Sequence, residues 1–578
     1  MMLFFLKLLI SVIALLAACV LLPHFPLCVL RLVLRSVGWL IRRRTQARRE
    51  AILARARADD RELLAKQSKV NSASATTAAD EDWEKVDTSS SGDSSDPASQ
   101  KSQPAGSDWA GIIGFFHPFC NAGGGGERVL WEAVRATQRR WPKAVCAIYT
   151  GDLDVTKAAM LERVQIRFNI QLHAPTVELL YLSTRKYVQS SMYPYMTLLG
   201  QSLGSLIVGY DAFTLLVPDI FIDTMGYAFA VAFCKLLFPS VPTGAYVHYP
   251  TISTDMLQSL DDKTGIKGVN SGAGTGLKGT LKRKYWLAFA RLYGWVGSHV
   301  DVVMCNSSWT SAHIHTIWGP SRYASSLSSE ALEYKDPVVV FPPTAVSDIQ
   351  STIAVTLETE PTRAPTVLYI AQFRPEKNHP LILRSFARFL ERHNKNTSNQ
   401  EPSPQLILIG TVRPSSPDET HIYNLRLLAH ELRLRNNTTF LCDASWPTIL
   451  SHLSTASIGV NAMWNEHFGI CVVEYQAAGL IPVVHDSGGP REDIVVDLAE
   501  FDSEAKSIGG KGRRETGFRA TTEEEFANAL ETALSLGVEE KVAMRLRARK
   551  SALRFTEEEF SKKWVGEVEK LVGMITSS

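Results

Sequence analysis

The sequence predicts an α/β protein with two doubly wound parallel-sheet domains, because short apolar runs alternate with helical patterns in two successive series. The first series occupies residues 109–345 and the second residues 346–554, with the junction near FPPTAV. Short buried strands separated by helices are typical of parallel sheets built from βαβ units. A chain of 578 residues, 45% of them hydrophobic, can also fill more than one core. We therefore expect two domains of this kind.

The charge balance and the cysteine spacing exclude several classes of protein. The 61 Lys and Arg residues are balanced by 59 Asp and Glu residues, so no global basic surface indicates a nucleic-acid partner. The eight cysteines show no CxxC spacing, which argues against a structural zinc site and against a secreted disulfide scaffold. We expect most of them to be small buried residues.

The N-terminal segment, residues 1–41, is predicted to be a membrane anchor. Lys7 is the only charged residue before Arg31, and the stretch from Leu8 to Leu30 exceeds the ~20 apolar residues that span a bilayer core. A cleavable signal peptide is the alternative, with AAC as its cleavage site, but the apolar stretch is longer than an ordinary signal core. The arginine cluster that follows, RRRTQARREAILARAR, favours the cytosolic side. We therefore expect the rest of the chain to lie in the cytosol.

The anchor is followed by a connecting segment, residues 42–108, which is basic at its start. From Gln67 to Asp108 this segment is rich in Ser, Ala, Thr and Asp and poor in aliphatic residues. Such a composition predicts a disordered linker between the anchor and the first domain.

Two insertions interrupt the first series. Residues 188–239 carry apolar segments with aromatic residues, which indicate either core helices with one buried strand or a face that docks on a membrane. Residues 261–284 form a glycine-rich insertion that ends in LKRK, and these bases are either solvated or meet anionic lipid headgroups. Membrane lipid is therefore a candidate partner of the first domain.

Four consecutive glycines, Gly123, Gly124, Gly125 and Gly126, lie between a predicted strand and a predicted helix. Glycine costs conformational entropy and adds no packing, so such a run indicates that a ligand approaches the backbone closely. A phosphate or a sugar there would meet the helix amide groups and the positive end of the helix dipole. A loose surface loop is the alternative, and the motif is neither a P-loop nor a GxGxxG fingerprint.

Two motifs of the second series carry charged residues that suit a nucleotide sugar. FRPEKN follows a predicted strand, and its cations Arg374 and Lys377 are suited to clamp a diphosphate at a helix N-terminus; ordinary surface bases are the alternative. NEHFGICVVEYQAAG places Glu466 and Glu474 on either side of the apolar segment HFGICVV. Because a carboxylate can accept hydrogen bonds from two adjacent hydroxyls, this pair suits the recognition of a sugar or a ribose.

The two glutamates and their spacing, with Arg374 and Lys377 upstream, resemble the retaining glycosyltransferases of the GT-B architecture. The resemblance implies two Rossmann-like domains that face each other across a cleft. It also implies that Glu474 holds the nucleotide ribose and that Glu466 contacts the donor sugar. The two cations would stabilise the departing nucleoside diphosphate, and the glycine run would approach the donor from the opposite domain.

Longer motifs narrow the resemblance to the GDP-mannose-dependent alpha-1,2-mannosyltransferases of the dolichol-linked oligosaccharide pathway. These motifs are FFHPFCNAGGGGERVLWEA, YVHYPTIS, CNSSWT, FRPEKNHP, NEHFGICVVEYQAAG and SGGPREDIV. The family adds the fourth and fifth mannoses to a dolichol-diphosphate oligosaccharide on the cytosolic face of the endoplasmic reticulum. The resemblance therefore implies GDP-mannose as donor substrate without any cofactor, a location in that membrane, and other mannosyltransferases of the pathway as candidate partners.

Further residues take their expected roles from the resemblance. His248, in YVHYP, is similar to the first-domain histidine that contacts the donor sugar, and its role as a base or as a structural histidine stays open. His117 is a candidate on the acceptor side. Residues 555–578 carry apolar side chains at helical spacing, and in this architecture such a helix packs back on the first domain. The residues expected to border the donor are His467, Phe468, Gly469 and Ile470.

The implied mechanism is a front-face transfer that retains the configuration, since both the donor and the family product are alpha-linked. No carboxylate pair of the glycosidase kind indicates a covalent nucleophile. Leaving-group stabilisation by Arg374 and Lys377 would be the main electrostatic contribution. No metal is expected, because the acidic GDLD at residues 151–154 follows a first-domain strand far from the donor motifs.

Three alternative functions remain to be distinguished. A membrane-anchored GT-B transferase could use a UDP-sugar donor, since the cleft motifs do not identify the base. A non-catalytic scaffold could have kept the fold, but loss of the charged residues would be its hallmark, and they are present. A dehydrogenase fits less well, because no GxGxxG follows the first strand.

Overall fold

A computed structural model of the chain describes residues 25–77, 108–262, 267, 271–324, 336–396, 402–413, 416–498 and 515–576. These residues form two α/β domains, a long N-terminal helix that lies on the first domain, and a C-terminal helix that returns to it from the second. Each domain has one parallel sheet, so the architecture predicted from the alternating apolar runs is confirmed.

The first domain is built on a seven-stranded parallel sheet in the order β3-β2-β1-β4-β5-β6-β7. Its strands are β1 (Ile112–Phe116), β2 (Val145–Thr150), β3 (Val177–Tyr181), β4 (Ile220–Asp223), β5 (Thr243–Val247), β6 (Val302–Cys305) and β7 (Val338–Val339). The helices up to the end of this domain are α1 (Phe25–Thr77), α2 (Gly125–Arg140), α3 (Lys157–Phe168), α4 (Thr197–Leu215), α5 (Ala228–Leu237), α6 (Thr254–Ser259), α7 (Gly276–Gly297) and α8 (Ser308–Ala324).

Helices cover both faces of this sheet, which explains why its strands are apolar throughout. Every residue of β1 and of β2 is buried. One face packs against α1, α4, α5 and α7, and the other packs against α2, α3 and the C-terminal helix. The sheet therefore lies in the middle of three layers.

The second domain has a six-stranded parallel sheet in the order β10-β9-β8-β11-β12-β13. Its strands are β8 (Ala364–Ile370), β9 (Gln405–Gly410), β10 (Thr438–Cys442), β11 (Ala456–Asn461), β12 (Ile481–His485) and β13 (Phe518–Ala520). Its helices are α9 (Val346–Thr352), α10 (His379–Asn396), α11 (Pro417–Glu431), α12 (Trp446–Thr455), α13 (Ile470–Ala478), α14 (Glu523–Ser535) and α15 (Val538–Ala552).

The strand order reverses once in each sheet, between β1 and β4 and between β8 and β11. In doubly wound sheets, ligands bind beyond the carboxyl ends of the strands at such a reversal. The chain continues from β1 into His117 and from β4 into Thr224; it continues from β8 towards Arg374 and from β11 towards Glu466. The topology therefore brings residues of both domains to the places where a ligand cleft is expected.

The C-terminal helix α16 (Glu557–Thr576) packs against α2 of the first domain. Trp564 is fully buried, its ring stacks on Phe115 with centroids 6.1 Å apart, and its indole N–H donates to the Thr137 hydroxyl at 3.1 Å. The carboxylate of Glu557 accepts hydrogen bonds from Arg128 at 2.6 Å and from Arg135 at 2.5 Å. This helix ties the end of the second domain to the first.

Helix α1 lies along the first domain. The guanidinium group of Arg49 donates to both carboxylate oxygens of Asp219, at 2.8 and 3.1 Å. A Cβ on Gly38 would lie 2.1 Å from the carbonyl oxygen of Leu237, so the two helix backbones touch there. The helix runs unbroken through the predicted boundary at residue 41.

The structure differs from the linker prediction over residues 67–77, which continue helix α1. Once a helix has formed, its extension costs little, because each added residue gains a hydrogen bond. The rest of the predicted linker, residues 78–107, and most of the predicted anchor, residues 1–24, lie outside the described residues. Within the described part of the chain, none of the helices contains a stretch long and apolar enough to cross a bilayer.

Replacement of Trp564 by Ala should lower the free energy of unfolding by about 3–5 kcal/mol, because it leaves a cavity between α16 and the first sheet. Urea unfolding followed by circular dichroism measures the change. Lys562→Ala, on the exposed side of the same helix, is the matched control and should change the stability by less than about 0.5 kcal/mol. Equal effects of the two substitutions would contradict the packing role of α16.

Candidate active site

The FRPEKN motif forms a tight turn between β8 and α10. Residues Pro375–Lys377 form a short 3-10 helix, and the Tyr369 hydroxyl donates to the carbonyl oxygen of Lys377 at 2.5 Å. Asn378 ends the turn in the left-handed conformation, with a φ of 51°. The Nε of Arg374 is buried and has no hydrogen-bond partner among the described residues. The turn therefore presents two cations at the carboxyl end of β8, and one of them has a free N–H.

Lys377 and Glu466 form an ion pair in the cleft. The Nζ of Lys377 lies 2.5 Å from Oε2 of Glu466, and Asn461 donates to the same oxygen at 3.3 Å. Burial would lower the pKa of Lys377, but the charge and the hydrogen bond of Glu466 outweigh it and raise this pKa. Likewise, burial would raise the pKa of Glu466, but Lys377 outweighs it and lowers this pKa. Both groups are therefore held in the charged form.

Close backbone contacts fix the loop that carries Glu466. The N–H of Gly489 donates to the carbonyl oxygen of Glu466 at 2.8 Å. Gly488 has a φ of 64°, and a Cβ there would lie 2.3 Å from the same carbonyl oxygen. Only glycine fits this position without displacing the loop. The SGGP motif thus positions Glu466 by its backbone.

Glu474 lies in helix α13, half-buried on the side of the cleft that faces the first domain. Burial raises the pKa of Glu474 to about 7, and the positive charge of Arg128 in the first domain acts against this rise. A carboxylate held at such a site gains from any ligand that donates hydrogen bonds to it. The environment therefore suits a polar, hydroxyl-bearing ligand.

The glycine run begins helix α2 and faces the second domain. Glu127 closes the loop, because its carboxylate accepts the N–H groups of Ala122 at 2.6 Å and of Gly123 at 2.5 Å. Gly123 has a φ of 76°, which favours glycine. A Cβ on Gly125 would lie 2.7 Å from Cδ1 of Ile470, at the start of α13. Two helix N-termini therefore meet across the cleft at the glycine run.

Two histidines flank Thr224 at the carboxyl end of β4. Nε2 of His248 lies 3.0 Å from the carbonyl oxygen of Thr224, and Nδ1 of His117 lies 2.8 Å from its hydroxyl. Burial lowers the pKa of His248 to about 4 and that of His117 to about 3. His248 also borders the glycine run, since a Cβ on Gly126 would lie 3.5 Å from its ring. His117 is 1% exposed and lies behind Thr224 rather than on the cleft surface.

The segment between the two glutamates divides its side chains between the cleft and the core. The ring of His467 stacks on Tyr249 of the first domain, with centroids 4.9 Å apart. Burial lowers the pKa of His467 to about 4, although Glu466 acts in the opposite direction. The ring of Phe468 is 3% exposed and packs against Phe555 in the core. The side chain of Phe468 therefore belongs to the core, and the expectation that this residue borders the donor stays a prediction.

Sequence reasoning missed several residues of the site. Asn461 ends an apolar strand with a polar amide, which is a signal that the sequence contains. Thr224 follows the strand IFID in the same way. Asp255 contacts the Glu466 loop from the first domain, and no local pattern indicates this contact. Among the described residues, no group of three His, Cys, Asp or Glu side chains is arranged to hold a metal ion; the expected metal independence stays a prediction.

The fold and the site together define a class of protein. Residues 110–318 match the family model "ALG11 mannosyltransferase N-terminus", and residues 357–551 match "Glycosyl transferases group 1". The fold is similar to that of sucrose-phosphate synthase from Thermosynechococcus elongatus, with a TM-score of 0.53 and 14% identity over 80% of this chain and 99% of that chain. The chain is therefore a GT-B glycosyltransferase with two Rossmann-like domains.

Closer relatives identify the family within this class. The chain is 55% identical to the "GDP-Man:Man(3)GlcNAc(2)-PP-Dol alpha-1,2-mannosyltransferase" of Neurospora crassa, over 94% of this chain and 93% of that protein. It is 42% identical to the human protein of the same name, over 80% of this chain and 87% of that protein. The chain belongs to this mannosyltransferase family.

The raised pKa of Glu474 predicts a pH-dependent effect of Glu474→Gln. The folded pKa of about 7 lies above the ordinary value of 4.5, so the wild-type protein loses stability as the pH rises from about 4.5 to 7. Because Gln carries no charge, we expect the variant to be more stable than the wild type at pH 8, by up to ~2 kcal/mol, and not at pH 4.5. Urea unfolding at the two pH values measures this; the same difference at both would contradict it.

Proposed function

We propose that the protein transfers alpha-1,2-linked mannose from GDP-mannose to a dolichol-diphosphate oligosaccharide that already carries three mannoses, adding the fourth and fifth with retention of configuration. The observation that carries this proposal is the buried Lys377–Glu466 ion pair. Lys377 follows β8 and Glu466 follows β11, the two strands between which the strand order reverses. The segment after Glu466 reaches the glycine run of the other domain through Ile470. The substrates are supported by the names of the relatives.

The departing diphosphate would bind between the two domains. Lys377 and Arg374 supply positive charge from the second domain, and the free Nε–H of Arg374 has no partner to give up when it turns to a phosphate oxygen. The backbone N–H groups at the start of α2 face the same space from the first domain. Charge that develops on the leaving group would therefore be stabilised from both sides.

The sugar and the ribose would be held by acceptors of hydrogen bonds. Glu466 is kept ionised by Lys377, so its carboxylate can accept from the hydroxyls of the transferred sugar. Glu474 has no hydrogen bond within the described residues, and its carboxylate would accept from the two ribose hydroxyls. These roles match those that the family resemblance implies for the two glutamates.

His248 is assigned to positioning rather than to base catalysis. A carbonyl oxygen only accepts, so the contact with Thr224 requires the proton to be on Nε2. Nδ1 is then unprotonated and can accept a hydrogen bond from a sugar hydroxyl. With a pKa of about 4, the ring would hold an abstracted proton poorly at neutral pH. The reaction would then proceed on one face of the donor without an enzyme nucleophile and without a metal ion.

The acceptor is a lipid, and the first domain carries a surface suited to membrane contact. Large apolar side chains are exposed on α4, on the segment before it, on α1 and on α7, and fewer are exposed on the second domain. Those furthest into solvent are Tyr195, which is 87% exposed, and Leu277, which is 79% exposed. Exposed patches of this kind mark membrane or protein contacts.

The basic residues of α7 support membrane contact on the same face of the first domain. The start of helix α7 carries the exposed side chains of Leu277 and Leu281, and bases at positions 278, 282, 283 and 284 directly follow these two leucines. We propose that the protein lies at the endoplasmic reticulum membrane, held by the apolar start of the chain before the part of α1 that packs on the first domain, with both domains in the cytosol. Membrane lipid would be a partner on this face, and the other mannosyltransferases of the pathway are proposed as further partners.

Lys377→Met should lower kcat for transfer from GDP-mannose by about 100-fold, because the leaving group loses one of its cations. The measurement is the initial rate of mannose transfer by the full chain in detergent onto a lipid-diphosphate oligosaccharide, with UDP-sugars as competing donors. The control is Lys395→Met, which removes an exposed ion pair with Glu391. Lys377→Met combined with Glu466→Gln avoids an unpaired buried carboxylate and should be equally slow.

The outcomes of this assay separate the candidate functions. A turnover of Lys377→Met within twofold of the wild type would refute the diphosphate role. Transfer by the wild type from a UDP-sugar but not from GDP-mannose would favour the other donor class. Failure to bind any nucleotide would favour the scaffold function.

The membrane orientation predicts lipid contact at Tyr195. A spin label at Tyr195→Cys, in the full chain reconstituted in vesicles, should be reached by dissolved oxygen more readily than by a water-soluble nickel chelate. The matched label at Tyr423→Cys, on the exposed surface of the second domain, should show the reverse order. Greater chelate access at both positions would contradict the proposed face.

A further inference from the structure

The two domains are joined next to the ion pair by a hydrogen bond between Asp255 and Asn465. Asp255 lies in the first turn of α6, whose N-cap is Ser253. Its Oδ2 accepts a hydrogen bond from Nδ2 of Asn465 in the second domain, with 2.6 Å between the atoms. An amide N–H donated to a carboxylate is a strong, charge-assisted contact. This bond connects the first domain to the residue that directly precedes Glu466.

Contacts within the first domain also hold the Asp255 carboxylate in place. The indole N–H of Trp309 donates to Oδ2 at 3.2 Å, and Nε2 of His313 lies 3.4 Å from the same oxygen. Nδ1 of His313 lies 2.8 Å from the Thr254 hydroxyl, which fixes the ring. Burial acts to raise the pKa of Asp255, but the contacts with His313, Trp309 and Asn465 outweigh it and lower this pKa. The Asp255 carboxylate is therefore ionised and held in a fixed position.

The second domain presents Asn465 in a buried position and in the left-handed backbone conformation. Asn465 is 8% exposed and has a φ of 51°, in the left-handed region. Its backbone N–H donates to the Ser487 hydroxyl at 2.7 Å, and that hydroxyl lies 2.8 Å from Nδ1 of His485. A residue held this tightly transmits the position of its side chain to its neighbours. The next residue is Glu466, which binds Lys377.

A second contact strengthens the same junction. His467 stacks on Tyr249 and lies over Trp309, with ring centroids 4.9 and 5.5 Å apart. Trp309 thus contacts both Asp255 and His467, so the residues on either side of Glu466 are each held by the first domain. No contact of Asp255 with Lys377 or with Glu466 is needed for this arrangement.

We propose that Asp255 is a positioning residue that places the Glu466 loop for catalysis when the two domains close, an inference that rests on the proposed transfer reaction. The bond to Asn465 sets the distance between the charged pair of the second domain and the glycine run and His248 of the first. Reacting groups that are displaced by about 1 Å can lose about 100-fold in rate, so a loose junction should affect turnover more than nucleotide binding.

An exchange of the two partners tests the proposal. Asn465→Asp sets two carboxylates against each other, and we expect kcat to fall at least 30-fold while the Kd for GDP stays within twofold, because the charged groups proposed to bind the nucleotide, Arg374, Lys377 and Glu474, all lie in the second domain. The combined variant, Asp255→Asn with Asn465→Asp, restores one donor and one acceptor and should recover at least tenfold of the lost kcat. Calorimetric titration with GDP and initial transfer rates give the two quantities.

Asp261→Asn is the matched control, since Asp261 lies just beyond α6 and its side chain forms, among the described residues, only an exposed ion pair with Arg283. This variant should leave kcat and the Kd for GDP unchanged. Thermal melting shows whether each variant is folded, and Asp255→Asn alone, which keeps the side-chain shape, provides the measurement if Asn465→Asp is unfolded. A kcat near the wild-type value in Asp255→Asn and Asn465→Asp, or an exchange variant as slow as Asn465→Asp, would overturn the proposal.

A scattering experiment tests the positioning role even if the proposed transfer reaction is wrong. If the wild type binds GDP but transfers no sugar from any donor, small-angle scattering with and without GDP still tests the junction. We expect Asn465→Asp to have a larger radius of gyration than the wild type in the presence of GDP and the exchange variant to return to the wild-type value. Identical radii for all three proteins would overturn the positioning role independently of the reaction.

Discussion

The two parallel sheets must present their carboxyl ends to the same cleft, and the rest of the site depends on this constraint. Each sheet reverses its strand order once, and the loops at these reversals carry His117 and Thr224 on one side and Arg374 and Glu466 on the other. Helix α16 maintains the arrangement, because Trp564 is buried in the first domain although its helix follows the second. The charged residues of the candidate site lie in the second domain, whereas the glycine run and His248 lie in the first. The junction between the domains is therefore part of the site.

Burial of charge in such a cleft is favourable only with compensating contacts. Lys377 and Glu466 compensate each other, and the turn and loop that carry them are fixed by backbone contacts rather than by their own side chains. Gly488 has no room for a Cβ beside the Glu466 carbonyl oxygen. The glycines of the motif therefore allow the close packing that holds a charged side chain still, while the charged residues would supply the chemistry of the proposed transfer.

Local patterns in the sequence were sufficient to predict the fold and the central charges. Apolar runs such as TVLYIAQF predict buried strands, and a polar motif directly after a strand predicts a place at the cleft. The continuation of α1 to Thr77 could not be predicted, because its composition favours a linker and the helix is extended from a segment that packs on the first domain. The core position of the Phe468 side chain was missed, because the acids on either side of HFGICVV do not indicate whether a ring points into the core or into the cleft. Contacts such as that between Asp255 and Asn465 join residues far apart in the chain, so no local pattern reveals them.

Closure of the domains also changes the strength of the electrostatic interactions. The cations at Arg374 and Lys377 act weakly on a phosphate in water, because the high dielectric constant screens them. The Glu466 loop contacts the first domain where the ring of His467 stacks on Tyr249, and contact between the domains reduces the amount of water that can surround a ligand between them. The same charges then act in a medium of lower polarity, where the stabilisation of a leaving diphosphate is larger. In the proposed reaction, leaving-group stabilisation would therefore depend on both domains, because the cations of the second domain act most strongly where the first domain limits the access of water.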